Sequence, residues 1–248
     1  MTLLRCTGLR QAFGGVQALD GVELELPAAS IHALIGPNGA GKTTLLNVLS
    51  GFLSPDSGRV FFDGRDVTGM APHRLAALGI ARTFQQLRVF RELSVLDNVL
   101  LARPRQRRER ILPALFGWRA GDAAGHGKTA RELLGFVGLG DKAGEPAGRL
   151  SYGQQKLLNL SCCLALEPRV LLLDEPVAGV HPEMIDRILG LLDQIRDQGR
   201  LLVFVEHDLE AVRQSADRVV VLDQGRVILQ GEPEEVLAES EILEAYLG

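Results

Sequence analysis

The sequence has few cysteines and lacks any long apolar run. Three of its 248 residues are cysteines, and none has the CxxC spacing of a metal site, so neither a disulfide framework nor a cysteine metal centre is expected. The longest apolar runs, 170–173 and 201–205, each end at an acidic residue and are far shorter than the ~20 residues of a membrane span. The first residues also lack the basic-then-apolar layout of a secretion signal. These absences predict a cytoplasmic chain that does not itself cross a membrane.

The composition is that of an ordinary globular protein, but its charge is unevenly distributed. Hydrophobic residues make up 46% of the chain and charged residues 23%, which at this length predicts one large domain or one domain with a second lobe. Residues 82–131 contain eleven basic and four acidic side chains, although the whole chain carries a net charge of −4. This basic stretch predicts either contact with a negatively charged partner or a solvated helix face, and charge alone leaves both open.

The hydrophobic pattern predicts an α/β fold. Apolar runs typical of buried parallel strands lie at 31–35, 170–173, 201–205 and 219–222, and helical periodicity lies at 43–49 and 183–196. Shorter segments at 3–10, 22–26 and 59–62, with a turn at Asp63-Gly64, predict a small N-terminal antiparallel sheet. The middle of the chain has helical patterns at 95–101 and 130–137 but no strand pattern, and its Gly and Pro residues predict a loop with short helices at 103–128.

A glycine-rich segment after the first buried strand predicts a phosphate-binding loop. Residues 36–43, GPNGAGKT, fit the pattern G-x-x-x-x-G-K-[ST] between a strand and a helix. Glycines let backbone N–H groups surround phosphate oxygens, and the following helix directs its positive end at the same anion. Lys42 then places a positive charge on the β- and γ-phosphates, and the Thr43 hydroxyl can bind Mg²⁺. The segment therefore predicts nucleotide binding.

Two further segments carry residues suited to phosphate chemistry: an acidic pair after a predicted strand, and the first residues of a predicted helix. Asp174 and Glu175 follow the apolar run 170–173. Asp174 is placed to hold Mg²⁺, directly or through water, and Glu175 to polarise a water for attack on the γ-phosphate. Ser151 and Gly153 open a predicted helix whose N-terminus is a second anion site, although taken alone this segment indicates a plain helix cap.

These segments follow one another in the order found in the nucleotide-binding subunits of ABC transporters, which the sequence resembles over nearly its whole length. The matches are the Walker A loop at 36–44, the Q-loop at 83–85 (TFQ), the signature at 150–155 (LSYGQQ), the Walker B strand at 170–174 and the switch region at 205–208 (VEHD). The resemblance implies one ABC-type nucleotide-binding domain over 1–248. It would consist of a P-loop NTPase core with a mostly parallel sheet at 1–85 and 159–248, including an N-terminal antiparallel β-subdomain, and a helical subdomain at 86–158.

The resemblance also implies a role for each matched residue. Glu175 is the expected catalytic carboxylate, His207 is expected to contact the γ-phosphate, and Gln85 is expected to sense Mg²⁺ and water. The residues expected to bind ATP are Phe13, Gly36, Asn38, Gly39, Gly41, Lys42, Thr43, Thr44, Ser151, Gly153 and Gln154. Mg²⁺ is expected at Thr43, Gln85 and Asp174. Two subunits would pair head-to-tail around two ATP molecules, with Ser151 and Gly153 of one facing the γ-phosphate on the other.

Further segments resemble the branched-chain amino acid importer branch of the family. They are 79–85 (GIARTFQ), 87–95 (LRVFRELSV), the insert 103–128, the stretch 175–179 (EPVAG) and the ending 244–248 (EAYLG). This similarity implies an ATP-hydrolysing subunit, peripheral on the inner face of the cell membrane, whose 86–158 subdomain docks transmembrane permease subunits. A second ATPase subunit would be a direct partner and a solute-binding protein an indirect one, whereas nucleic acid is not expected. Urea or amide import, lipopolysaccharide export, a DNA-repair-type ABC ATPase and a subunit that binds ATP without hydrolysing it are the alternatives.

His181 departs from the family pattern, because the D-loop usually has Asp or Asn at this position. A histidine there predicts pH-sensitive coupling between the two ATP sites of a dimer, with tolerated variation as the alternative. The other histidines considered, His32, His73 and His126, have no partner spacing and are expected at the surface or in loops.

Overall fold

The computed structural model describes residues 2–83, 89–103 and 121–239, with backbone only at 121–126. The chain divides into two compact units, one formed by 1–85 with 168–248 and the other by 86–167. Among the described residues, no helix is both long and apolar enough to cross a membrane.

The first unit contains two β-sheets. An antiparallel sheet has the strand order β2-β1-β4-β5, with β1 at Thr2–Phe13, β2 at Val16–Pro27, β4 at Ser57–Phe62 and β5 at Arg65–Asp66. A six-stranded sheet has the order β10-β9-β3-β8-β7-β6, with β3 at Ser30–Ile35, β6 at Ile80–Arg82, β7 at Val170–Asp174, β8 at Leu201–Val205, β9 at Arg218–Asp223 and β10 at Arg226–Gly231. Its strands are parallel except for β10, which pairs antiparallel with β9. The predicted α/β class, with a mostly parallel sheet and an N-terminal antiparallel sheet, is confirmed.

The parallel sheet is buried on both faces, as its continuous apolar strands require. Every residue of β3 and β8 is buried, as are the first four residues of β7. The described residues of this unit form five α-helices: α1 at Lys42–Leu49, α2 at Pro72–Leu78, α6 at Pro182–Asp197, α7 at Leu209–Ser215 and α8 at Pro233–Ala238. The parallel strands therefore form a rigid base whose carboxyl-terminal edge carries the loops after β3, β6, β7 and β8.

The second unit contains three helices in its described part: α3 at Val95–Ala102, α4 at Gly121–Val137 and α5 at Tyr152–Leu164. Helices predicted at 95–101 and 130–137 are thus confirmed. The prediction of a loop with short helices at 103–128 is wrong for 121–128, which belong to α4, and its residues 104–120 lie outside the described part of the chain. Helix propagation from the packed half that contains Ala130, Leu134 and Val137 outweighs the unfavourable propensity of the glycines in the first two turns.

His32 corrects a second expectation, because it lies in the central strand β3 and is 4% exposed instead of being at the surface. Its Nε2 lies 3.0 Å from the Ser30 Oγ, and that hydroxyl donates to the Pro27 carbonyl at 2.8 Å. Because the single hydroxyl hydrogen of Ser30 is used in that bond, the His32 Nε2 is protonated and its N–H donates to the Ser30 oxygen. Burial is the largest cause that lowers the pKa of His32 to about 4, so the buried ring is neutral at neutral pH.

Candidate active site

The loop between β3 and α1 has a backbone conformation that requires glycine. Gly36, Gly39 and Gly41 all have positive φ, at 145°, 84° and 103°. A Cβ atom at Gly36 would collide with the Leu222 carbonyl oxygen and one at Gly41 with the Ala18 carbonyl oxygen, whereas a Cβ at Gly39 would meet no described atom within 4 Å. Gly36 and Gly41 are thus needed to pack the loop against its neighbours. Gly39 instead leaves open space on the exposed side, beside the exposed Asn38.

Lys42 lies at the start of α1 and folds back over this loop. Its side chain is buried, and its Nζ donates to the Gly36 carbonyl at 2.6 Å and to the Pro37 carbonyl at 2.9 Å. Burial lowers the pKa of Lys42, and the negative charge of Glu175 acts in the opposite direction. The ammonium group is therefore held inside the curve of the loop, where it would meet a bound phosphate. Thr43, the next residue of α1, is exposed, and Thr44 is half-buried.

Asp174 ends β7 at the same edge of the sheet, and its charge is paired. Its Oδ2 lies 3.1 Å from the Arg82 guanidinium, and both side chains are at least nine-tenths buried. Arg82 ends β6 and also donates to the Asn47 side chain at 2.6 Å and the Ser50 hydroxyl at 2.9 Å, both near the end of α1. Adjacent Thr83 accepts from the Asp174 backbone N–H at 3.2 Å. These bonds fix the direction of the Asp174 carboxylate.

Glu175 and His207 form the second pair at this edge. Glu175 follows β7, His207 follows β8, and the His207 Nε2 lies 3.5 Å from the Glu175 Oε1. Glu175 has a left-handed backbone with φ of 48°, and its N–H donates to the Val205 carbonyl at 3.0 Å. Both side chains remain partly exposed, at 22% for Glu175 and 43% for His207, so water can reach the pair.

The other predicted residues fall into three groups. Phe13 lies at the end of β1 and is 51% exposed, as an aromatic ring that stacks on a planar ligand must be. Ser151, Gly153 and Gln154 begin α5 in the second unit, where Ser151 and Gln154 form a reciprocal capping box. Gln85 lies outside the described residues. The structure thus gathers Lys42, Asp174, Glu175 and His207 at one sheet edge and places the α5 cap in a separate unit.

Arg82 and Glu206 were missed by sequence reasoning. Arg82 is separated from Asp174 by 92 positions in the chain, and nothing in its local pattern distinguishes it from the other arginines of the basic stretch. Glu206 is 2% exposed directly before His207. An acid at the end of a predicted buried strand is the signal that could have drawn attention to Glu206, since the same signal identified Asp174.

Comparison with known proteins relates this geometry to one family. The family model described as "ABC transporter" matches residues 19–178. The high-affinity branched-chain amino acid transport ATP-binding protein BraF of Pseudomonas aeruginosa is 36% identical over 254 residues, covering 99% of this chain and 98% of BraF. A nucleotide-free ATP-binding cassette from an ABC transporter is 33% identical with a TM-score of 0.88, and all of both chains is covered.

A second solved structure shows a dimer. It is described as a post-hydrolysis state of an ATP-binding cassette bound to ADP and Pi, and it is 25% identical to this chain with a TM-score of 0.76, covering 93% of this chain and 99% of the other. The family match and the near-complete relatives agree with the phosphate loop and the paired acids described above. This chain belongs to the ABC transporter family and is an ATP-binding cassette.

Proposed function

We propose that the chain hydrolyses ATP to power the import of branched-chain amino acids through a membrane permease. The observation that carries the ATPase activity is the arrangement of Lys42, Asp174, Glu175 and His207 at one edge of the parallel sheet. The solute class comes from relatives such as BraF, whose name describes branched-chain amino acid transport.

ATP binding follows from the loop and its flanking residues. The open backbone at Asn38 and Gly39 would cradle the phosphates, and Lys42 would exchange its carbonyl partners for phosphate oxygens. Phe13 would stack on the adenine ring. Positioning and electrostatics supply most of the catalysis in phosphoryl transfer, so a charge held within the loop before the nucleotide arrives is an advantage.

The oxygen donors present fit Mg²⁺. Within the described residues the Asp174 Oδ1 has no hydrogen-bond partner, while Oδ2 is held by Arg82, and the Thr43 hydroxyl is exposed. Carboxylate and hydroxyl oxygens are the hard ligands that Mg²⁺ prefers. Asp174 and Thr43 would hold the ion, with Gln85 as a third contact, and the ion would neutralise charge on the β- and γ-phosphates.

Hydrolysis requires a positioned water. Glu175 is partly exposed and can accept a proton from a water at its exposed surface, while His207 would hold the γ-phosphate. Because the His207 Nε2 lies 3.5 Å from the Glu175 Oε1, a proton acceptor and a proton donor lie beside the same small part of the site. We therefore assign Glu175 as the general base or water-positioning group and His207 as its partner.

Partners follow from the second unit and from the family. The second unit exposes some large apolar side chains that a partner could cover, among them Phe90 at 61% and Leu101 at 54%. We propose that the helical subdomain at 86–158 docks transmembrane permease subunits and that the chain functions at the inner face of the membrane. A second ATPase subunit would pair head-to-tail with it and present Ser151, Gly153 and Gln154 to the nucleotide.

The test of the ATPase assignment compares the purified wild-type chain with Glu175→Gln. The variant should bind ATP with wild-type affinity and lose at least about 100-fold in kcat, because a general base contributes about 10²–10⁴-fold. Glu23→Gln, an exposed acid on β2, is the matched control and should retain the wild-type rate. Normal turnover in Glu175→Gln would remove Glu175 from this role.

The solute is tested by affinity capture from native membranes. Recovery of permease subunits and a solute-binding protein that binds leucine, isoleucine or valine is the expected result. Recovery of lipid-export components, or of a binding protein for urea or amides, would replace the proposed solute and leave the ATPase assignment intact.

A further inference from the structure

Glu206 is a buried carboxylate to which neither the sequence motifs nor the proposed mechanism gives a role. It follows the last residue of β8, directly precedes His207 and is 2% exposed. A buried acid is costly unless its oxygens are hydrogen-bonded. The partners of Glu206 therefore indicate what it does.

Its two oxygens bond to two different loops. The Oε1 accepts from the Val177 backbone N–H at 2.7 Å, and the Oε2 accepts from the His207 backbone N–H at 3.2 Å. Val177 belongs to the loop after β7 and His207 to the loop after β8. Because Glu206 itself lies in the loop after β8, its bond to the Val177 N–H joins the two loops through one side chain.

Two hydrogen bonds from backbone N–H groups hold the segment that contains Glu175, the proposed catalytic base. Glu175 donates its own N–H to the Val205 carbonyl at 3.0 Å, and Val177, two residues later, donates to Glu206. The left-handed backbone of Glu175, with φ of 48°, is unfavourable for a residue with a side chain and persists only where the surrounding bonds hold it. The loop is thus held at the strained residue itself and again two residues after it.

We propose that Glu206 is a positioning residue that sets the separation between the Glu175 carboxylate and the His207 ring by bonding the loop of each. This inference rests on the proposed ATPase function. Glu206 does not act as the base itself, because it is buried and both its oxygens accept backbone N–H groups, whereas Glu175 is open to water. Small displacements of a reacting group reduce the rate strongly, so the effect should fall on kcat.

Glu206→Gln tests the proposal with a side chain of the same shape. An amide has one acceptor oxygen, so it satisfies only one of the two N–H groups. We expect kcat to fall about 10- to 100-fold with the KM for ATP within about threefold of wild type. Glu206→Asp keeps the carboxyl group with its two oxygens and should recover part of the rate. Glu210→Gln, at an exposed acid in α7 whose side chain pairs with Gln214 and Arg213 of the same helix, is the matched control and should behave as wild type.

A double variant separates positioning from general damage. If Glu206 acts through Glu175, Glu206→Gln should add little to the loss already caused by Glu175→Gln. A wild-type kcat in Glu206→Gln, or an equal further loss of residual rate in the Glu175→Gln background, would overturn the proposal.

Amide hydrogen exchange gives a readout that does not depend on turnover. The N–H groups of Val177 and His207 should exchange faster in Glu206→Gln than in wild type or Glu210→Gln. Unchanged protection of both groups would show that the two bonds are absent and would reject the proposal. A wild-type chain without ATPase activity would reject the proposed function, while the exchange result would still decide whether Glu206 joins the two loops.

Discussion

At the scale of single residues, His32 shows what burial does to a titratable group in a parallel sheet. Its ring donates to Ser30 and is neutral in the fold, with its pKa lowered from 6.5 to about 4 chiefly by burial. Asp217, which accepts from the Ile31 N–H at 2.7 Å, acts to raise this pKa, and Arg218 acts to lower it. Between about pH 6.5 and 4, the His32 ring therefore binds a proton in the unfolded chain but stays neutral in the folded state.

This difference predicts a pH-dependent stability. Between about pH 6.5 and 4 the unfolded state binds a proton that the folded state does not, so the free energy of unfolding should fall as the pH falls through this window. The loss attributable to His32 should reach about 2–3 kcal/mol by pH 4, since one pKa unit corresponds to ~1.4 kcal/mol. Urea unfolding at a series of pH values measures it.

Two variants isolate the contribution of His32 from that of the carboxylates. His32→Gln should have a flatter stability curve between pH 6.5 and 4, whereas His73→Gln, at an exposed position in α2, should keep the wild-type slope. Identical slopes in wild type and His32→Gln would contradict the assignment.

The predictability of individual site residues depended on how local their signals are. Lys42, Thr43 and the loop glycines were found because their chemistry lies within eight consecutive residues. Arg82 and Glu206 act through partners distant in the chain, and the buried position of His32 depends on strands that pair with β3 from both sides. A contact between residues distant in the chain leaves no signal in the local sequence pattern, so it can be identified only from the folded structure.

At the scale of elements, the buried strands were predicted to within a residue at each end and the antiparallel strands were not. Strands β7 and β8 are continuous apolar runs with sharp limits, preceded by an arginine and ended by an acid, and β3 is a mostly apolar run that ends at the glycine-rich loop. Strand β1 is longer than predicted, because several register shifts against β2 interrupt the alternation by which strands are recognised. Helix α6 combines a clear apolar stripe with a proline in its first turn and was correspondingly well predicted.

The start of α6 leads to a prediction about helix capping. His181 is its N-cap residue and has extended backbone angles, but its side chain makes no capping hydrogen bond. Asp accepts a hydrogen bond from the second or third helical N–H at this position, so His181→Asp should raise the free energy of unfolding by about 0.5–1.5 kcal/mol. Urea unfolding at pH 7 measures the gain, and His181→Ala, which supplies no acceptor, should not show it. A stability equal to that of His181→Ala would contradict this account.

The same variant bears on the two interpretations of His181. If the histidine makes coupling between ATP sites pH-sensitive, His181→Asp should change the pH profile of turnover as well as stability. A stability gain with an unchanged profile would indicate tolerated variation at a suboptimal cap.

At the scale of the whole molecule, the chemistry is divided between the two units. Lys42, Asp174, Glu175 and His207 belong to the unit built on the sheets, and the capped N-terminus of α5, with Ser151 and Gln154, belongs to the unit of helices. The head-to-tail pairing implied by the family resemblance would bring the α5 N-terminus of one chain to the nucleotide of another. ATP binding by one chain and dimerisation should then depend on different residues.

Ser151→Arg tests this separation in the Glu175→Gln background, in which bound ATP is not consumed. The parent variant should shift to twice its mass on ATP addition, as measured by size-exclusion chromatography with light scattering. Ser151→Arg removes the cap and places a long cationic side chain where the partner's phosphate would lie, so it should abolish the shift while leaving ATP affinity unchanged. Ser94→Arg, the same substitution at the N-cap of α3 in the same unit, is the control and should still dimerise. A dimer that persists in Ser151→Arg would place the partner's contact elsewhere. Loss of ATP affinity in Ser151→Arg, measured at a protein concentration too low for the parent variant to dimerise, would mean that the signature acts on the nucleotide of its own chain, because a contact made only across the dimer cannot change binding to the monomer.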